Sequence, residues 1–290
     1  MKPWRLFGRG GGDVPRKRRS KRGPCRICGV EALLSFEHVP PKKAFNDRSV
    51  WRHSFDEAVR VGLDPPRKGK QQQQGGAGAY TLCEKCNNDT GSWYADDFSN
   101  WCQSSMSVLE KGRGSKLLPV RVHGGFPLRI VKQILTMFCS VNPAGWVDAH
   151  PALRRYLLNP AEGVWPEGVR VFVYYTPSLR MRFNGVSARI DVRTGGCSAL
   201  TEMSFPPFGY VLTFDGGEPP DSRLAEISYY RSYGYEQKSW GSVLGHVLPV
   251  ELAFSGDYRT RQEIEDQVGM GGVAVTGGGS STVIASRDDG

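Results

Sequence analysis

Apolar positions along the chain follow two periods. Residues 32–36 (ALLSF) form a short apolar stretch that suits a β-strand running into Glu37 and His38, and the double proline of 39–46 (VPPKKAFN) ends it by removing backbone donors and fixing φ. Apolar residues at 51, 55, 58 and 59 give 51–61 a helical tendency, while 64–79 (DPPRKGKQQQQGGAGA) is low-complexity and predicts a flexible insertion. Residues 80–82 predict a short strand. The capping side chains of NNDTG (87–91) precede Trp93, Tyr94, Phe98, Trp101, Cys102 and Met106 at helical spacing, so a helix is expected to begin near Thr90. The spacing of Trp93 and Trp101 suits core packing more than base stacking.

Residues 110–116 (EKGRGSK) read as a linker. Beyond them, 128–141 (LRIVKQILTMFCSV) has apolar residues at 128, 131, 134, 135 and 138, the pattern of a helix with one face on the core, and 152–158 predicts another short helix. From Val169 the period changes. VRVFVYYT, LRMRFNGVSARID, FGYVLTFD and HVLPVELAF are strand-like runs separated by Gly, Pro and Asp. The expected architecture is α+β: a basic, disordered arm over 1–24, a small module over 25–110, an α+β domain with a mainly antiparallel sheet over 117–268, and a disordered Gly/Ser-rich tail over 269–290. The cluster Asp257-Tyr258-Arg259-Thr260-Arg261 either starts a capped surface helix or contacts a ligand.

Charge and cysteine content sharpen this picture. Of the net charge of +9, all but one unit lies in residues 1–24, where nine Lys or Arg face the single Asp13. Arg16, Lys17, Arg18, Arg19, Lys21 and Arg22 are therefore candidate phosphate contacts, and a solvated tail or a localisation signal would read alike. No apolar run approaches the length of a membrane span, and no apolar stretch follows the basic N-terminus. A cytoplasmic location is expected, with no membrane partner. The oligomeric state stays open. In a reducing compartment the seven cysteines read as metal chemistry. Four of them form two C-x-x-C pairs, Cys25/Cys28 and Cys83/Cys86, able to place four thiolates tetrahedrally around a structural Zn²⁺.

Between and after those pairs lie F-E-H-V-P-P-K (36–42) and C-N-N-D-T-G (86–91). This order resembles the zinc-containing branch of the HNH endonucleases, whose frame is C-x-x-C, an acidic-His-x-x-Pro element, and C-x-x-C followed by Asn or His. The likeness covers residues 25 to about 92. It implies a ββα-metal fold, two strands and a helix around one divalent ion, and hydrolysis of nucleic-acid phosphodiester bonds, DNA favoured over RNA. Defence against foreign DNA is the process that the family's habits suggest. Glu37 would be a metal ligand, His38 the general base, and Asn87 the second ligand, with Asn88 as fallback.

Elementary chemistry supports those roles. Phosphodiester hydrolysis needs a base of near-neutral pKa, which His38 offers, and positive charge, which Mg²⁺ or Mn²⁺ held by Glu37 and Asn87 would supply. Neighbours on an extended strand point to opposite faces, so Glu37 and His38 divide the work naturally. Lys42 and Lys43 are candidate phosphate contacts. One element departs from the family. The Asn that orients the His there should precede the second C-x-x-C, where this chain has GGAGAYTL, so Asn46, a main-chain carbonyl near Ala79 or another side chain must take over. His53, His123, His150 and His246 have no partners at metal-ligand spacing and read as structural or surface residues. A zinc-stapled module that binds nucleic acid or protein without cutting is the alternative function.

Overall fold

The computed structural model describes residues 21–54, 72–190, 197–269 and 281–286, with the backbone alone at 53, 189–190, 198, 267–269 and 281–286. Arg16, Lys17, Arg18 and Arg19, and residues 55–71 of the expected helix and insertion, lie outside it. The architecture is α+β with antiparallel sheets.

Three strands, β1 (Lys21–Pro24), β2 (Glu31–His38) and β5 (Gly78–Cys83), form a small sheet in the order β1-β2-β5. The basic stretch thus does not stay unstructured up to residue 24: Lys21 and Arg22 are exposed strand residues paired with Leu34 and Leu33. Helix α1 (Glu84–Thr90) follows β5 directly, a π-helical turn (Gly91–Ala95) continues it, and α2 (Asp96–Lys111) extends it past the expected linker start. Helical structure therefore begins six residues before Thr90. The Cys83 sulfur, accepting from the Cys86 amide at 3.5 Å, caps the helix ahead of the Asn and Thr side chains that the sequence offers for the task.

A second, eight-stranded sheet has the order β11-β7-β10-β9-β8-β13-β3-β4, built from β3 (Val50–Ser54), β4 (Gln72–Gln73), β7 (Arg170–Tyr175), β8 (Arg180–Ile190), β9 (Cys197–Phe205), β10 (Phe208–Thr213), β11 (Ala225–Glu226) and β13 (Ser281–Ser286). Two expectations change here. The stretch from Trp51 starts as a strand, because pairing with β4 and β13 outweighs a weak helical pattern. The Gly/Ser-rich C-terminal segment is not wholly a tail: its β-branched Thr-Val-Ile run inserts between β8 and β3.

Since β3 and β4 come from the expected N-terminal module, the sheet joins both halves of the chain. One hydrophobic cluster likewise runs from Cys25 and Ile27 through Trp101 to Tyr230. Module and domain share a core.

The remaining strands and α-helices are β6 (Leu117–Arg121), which pairs with β12 (Ser242–His246), α3 (Pro127–Val141), α4 (Pro151–Leu158) and α5 (Arg261–Gly269). The strand expected in HVLPVELAF ends at His246. The amides of Val247 and Leu248 still donate to the carbonyls of Lys116 (2.9 Å) and Tyr175 (2.8 Å), and further on side chains hold the chain: Arg182, ion-paired with Glu202 in the interior, donates to the carbonyls of Leu252 (3.0 Å) and Phe254 (2.6 Å), and Asn184 to that of Ala253 (2.9 Å). Carbonyls taken this way are lost to a ladder, and Pro249 lacks a donor. Helix α5 opens with a capping box, in which the Thr260 amide donates to Glu263 (2.7 Å) and the Glu263 amide to the Thr260 hydroxyl (3.2 Å). Among the described residues no helix is long and apolar enough to cross a membrane.

Helix α3 is the centre of the molecule. It packs on β8 and β9, on α2 and α4, and on β5. Thirteen of its 15 residues are buried, so it presents no solvent face, in contrast to the single apolar stripe expected. Burial all round takes Lys132, Gln133, Thr136 and Ser140 inside. Lys132 donates to the carbonyls of Asn159 (2.7 Å), Pro160 (3.0 Å) and Glu162 (2.9 Å) and lies 4.2 Å from the Tyr156 ring centroid. Lys132→Met would leave three carbonyls without their donor. We expect urea unfolding to show a loss of about 2–4 kcal/mol; an unchanged midpoint would mean that water replaces the ammonium without cost.

Candidate functional site

The two cysteine pairs converge. Cys25 and Cys28 lie on a turn closed by the Gly29 amide donating to the Cys25 carbonyl (2.8 Å), and Cys83 and Cys86 span the start of α1. The four sulfurs lie within 4.8 Å of one another, and Cys28 Sγ is 3.9 Å from Cys83 Sγ. Sulfurs in a tetrahedral ZnS₄ group with bonds of about 2.3 Å stand about 3.8 Å apart, so the cluster can hold a metal ion such as Zn²⁺. The crowding couples the thiols: a hydrogen bond with Cys86 lowers the Cys25 pKa below the ordinary thiol value, and the same bond pushes that of Cys86 up. A cation relieves that competition.

The turn carrying Cys25 is tied to the rest of the molecule. Arg26 donates to the Ser140 carbonyl (2.6 Å), its amide to the Thr81 carbonyl (2.9 Å), and Arg154 Nε to the Ile27 carbonyl (2.9 Å).

Next to the cluster is a cleft of about 270 Å³, bordered by Phe36, Glu37, His38, Pro41, Lys42, Asn87, Thr90, Gly91, Ala95 and Gln133. Glu37, His38 and Asn87, which the sequence singles out, therefore border one space. Asn87 lies on α1 one residue past Cys86. Its Nδ2 donates to Ser35 Oγ (2.9 Å) and to the Phe36 carbonyl (3.3 Å), beside the register shift between β2 and β5. The amide oxygen Oδ1 takes no hydrogen bond among the described residues.

Glu37 is 6% exposed. Its Oε2 accepts from Thr81 Oγ1 (3.1 Å) and from Ser140 Oγ on α3, while Oε1 takes no hydrogen bond among the described residues. Burial pushes its carboxyl up to about 7, against the opposing effect of those hydroxyls. The alternation of β2 puts Glu37 opposite Phe36 and His38, whose rings meet edge-on at 4.8 Å.

His38 Nε2 lies 3.1 Å from the carbonyl oxygen of Gly75. A main-chain carbonyl thus meets the ring, four residues ahead of Ala79. Asn46 contributes at one remove. Buried at 1% exposure, it donates to the carbonyls of Pro40 (2.5 Å) and Ala77 (2.8 Å) and accepts from the Ala77 amide (2.6 Å), clamping the turn that carries Gly75 to the end of β2. The clamp is tight enough to need glycine: at Gly76 (φ +103°) a Cβ would sit 2.0 Å from the Asn46 carbonyl oxygen.

Other candidates are distributed as follows. Lys42 borders the cleft, whereas Lys43 is paired with Asp96 at 2.7 Å. Lys21 and Arg22 lie on β1. Asn88 is exposed on α1 and does not border the cleft. Trp101 is core, stacked on Phe208 at 4.4 Å, and His150 stacks on Phe214 at 5.3 Å. Sequence reasoning missed Thr81, Ser140, Gly75 and Gln133. The signal for two of them was present as polar residues inside the apolar pattern of 128–141.

A carboxyl whose pKa is raised by folding favours the fold fully below its unfolded value and loses that contribution as pH rises through the folded value. For Glu37 the window runs from about 4.5 to about 7. In zinc-loaded protein without added Mg²⁺ or Mn²⁺, Glu37→Gln should therefore raise stability at pH 8, by at most about 3 kcal/mol, with the gain shrinking toward pH 5. Urea titrations at both pH values check this; a loss at pH 8 would contradict it. No family model, no curated protein and no solved structure matches this chain, so the geometry of the cleft carries its functional reading.

Proposed function

We propose that the chain is a metal-dependent endonuclease of the HNH type, with β2, β5 and α1 as its ββα unit. The observation that supports this best is that Glu37, His38 and Asn87 border one cleft beside the four-cysteine cluster. The cluster would hold a structural Zn²⁺, whose role is to fix β2 against α1.

In the cleft, Glu37 Oε1 and Asn87 Oδ1 are hard oxygen donors that suit Mg²⁺ or Mn²⁺. An ion held there would supply positive charge to a phosphodiester and its leaving oxygen. The chain's own groups do the rest. The Gly75 carbonyl meets the His38 ring at Nε2, and His38 is the group that takes a proton from the attacking water. Ser140 and Thr81 hold Glu37 Oε2, so that the carboxylate meets the cleft with one oxygen. Asn46 keeps the Gly75 turn in place. Lys42 adds positive charge at the rim and, with the basic residues of the N-terminal stretch, would draw in a nucleic-acid backbone, with DNA the favoured substrate.

The test is cleavage of plasmid DNA by the full chain with Mg²⁺ or Mn²⁺. We expect EDTA to abolish cutting, and His38→Ala to lower the rate by about 100-fold or more while the zinc stays bound. Pure, zinc-loaded protein that cuts neither DNA nor RNA, or a His38→Ala variant that cuts like wild type, would overturn the proposal and favour a binding module without cleavage. Cys83→Ser should lose the zinc, measured by elemental analysis, and lower the thermal midpoint; a variant that keeps both would refute the structural role of the metal.

A further inference from the structure

The helical wall of the cleft is nearly bare. Asn87, Gly91 and Ala95 border it at intervals of four residues. In a continuous α-helix, residues eight apart drift off one face; the π-helical turn Gly91–Ala95, which takes more residues to complete a turn, keeps Ala95 on the cleft side. Past Asn87, the Thr90 hydroxyl bonds to the Cys86 carbonyl (2.8 Å), and Gly91 and Ala95 add one methyl group between them. Nothing inside the protein demands glycine at 91. Its φ of −61° and ψ of −44° are ordinary helical values, and a Cβ there would meet nothing within 4 Å. At Gly112 and Gly209, by contrast, a Cβ would lie 2.3 Å from Leu118 and 2.0 Å from Tyr174, so packing excludes a side chain. Glycine within a helix costs stability relative to alanine, and at Gly91 neither backbone nor packing accounts for that cost. Close approach of something outside the chain does.

A second observation points to a ligand in the same space. Glu37, 6% exposed, borders the cleft with an Oε1 that takes no hydrogen bond among the described residues. If the cleft is a phosphodiester site, as proposed above, its ligand is a polymer, whose chain must continue away from the reacting group along one of the walls. Phe36, His38, Pro41 and Lys42 border the cleft with large side chains. The helix offers the open path, with Gly91 one turn, about 6 Å, beyond Asn87. The Gly91 amide already donates to the carbonyls of Asn87 and Asn88, so the position offers close packing and not a hydrogen bond. We propose that Gly91 is a substrate-contact position, against which the sugar of the nucleotide next to the cleaved phosphodiester packs. The missing Cβ lets the nucleic-acid backbone come down far enough to reach Glu37 and Asn87. This rests on the reading of the cleft as a phosphodiester site.

Full-length, zinc-loaded wild type, Gly91→Ala and Gly91→Leu are compared in binding a fluorescent DNA duplex by anisotropy, with Ca²⁺ replacing Mg²⁺ to slow cutting and with about 0.3 M salt to screen the basic N-terminal stretch. Mn²⁺ affinity, the urea midpoint and cutting with Mg²⁺ are measured on the same samples. Gly91→Ala should raise the urea midpoint, since the methyl group favours the helix and meets nothing. It should nevertheless weaken duplex binding about tenfold, the effect of one methyl group forced into a packed contact, with Mn²⁺ affinity unchanged. Gly91→Leu should bind the duplex more weakly still. Duplex affinity of both variants within twofold of wild type overturns the assignment. So does a lower midpoint in Gly91→Ala, which would make the glycine structural, or a loss of Mn²⁺ affinity as large as the loss of duplex affinity, which would place the effect at the ion. Wild type whose duplex binding depends on Gly91 but which cuts nothing with Mg²⁺ would sink the nuclease reading and leave this contact; wild type that cuts, with variants that bind and cut equally well, does the reverse. A wild type that neither binds nor cuts ends both.

Discussion

The meeting of four cysteine sulfurs within 4.8 Å sets the geometry of everything around the cleft. Fifty-four residues separate the two pairs in sequence, and the segments they join are otherwise a three-stranded sheet with Val30 and Leu33 exposed. A sheet of that size buries too little to define its own shape. Because Cys83 ends β5 and caps α1 while Cys86 lies in the first helical turn, the position of the sulfurs decides where the helix starts. That start in turn decides which side chain faces β2. Asn87 follows Cys86, so its amide nitrogen falls on Ser35 and Phe36.

A second constraint comes from α3. It ties the small sheet to the large one through the Arg26 contact with the Ser140 carbonyl and the Ser140 contact with Glu37. The arrangement works against stability at one point. Glu37 sits where burial raises its pKa to about 7, which favours the neutral carboxylic acid over the carboxylate that a cation needs. Two hydroxyls offset part of that cost, and a bound divalent ion would offset more. A buried carboxyl of this kind is what a binding site requires and a core avoids.

Much of the site was legible because its elements are local. The C-x-x-C pairs, the strand ending in Glu37 and His38, and the Asn after Cys86 are each read within a few residues. What positions them was not. The Gly75 carbonyl beside His38 is a backbone atom with no sequence signature, and Asn46 acts through a turn 30 residues away. The fold shows the same division. The helix at 152–158 and the strands at 169–176 and 179–191 follow from periodicity, whereas β13 and β3 exist through pairing between residues more than 200 apart. Helix α3 was recognised but not its depth, since a stripe pattern does not tell one buried face from burial on all sides.

The central claim is that Glu37 and Asn87 hold one divalent ion in a cleft whose walls a separate metal cluster fixes. Anomalous diffraction from crystals of the full chain soaked in Mn²⁺ tests it most directly. The account predicts a manganese peak within bonding distance of Glu37 Oε1 and Asn87 Oδ1, and a separate zinc peak among Cys25, Cys28, Cys83 and Cys86. Zinc in the cysteines with no manganese between Glu37 and Asn87, at concentrations that saturate ordinary Mn²⁺ enzymes, would contradict it.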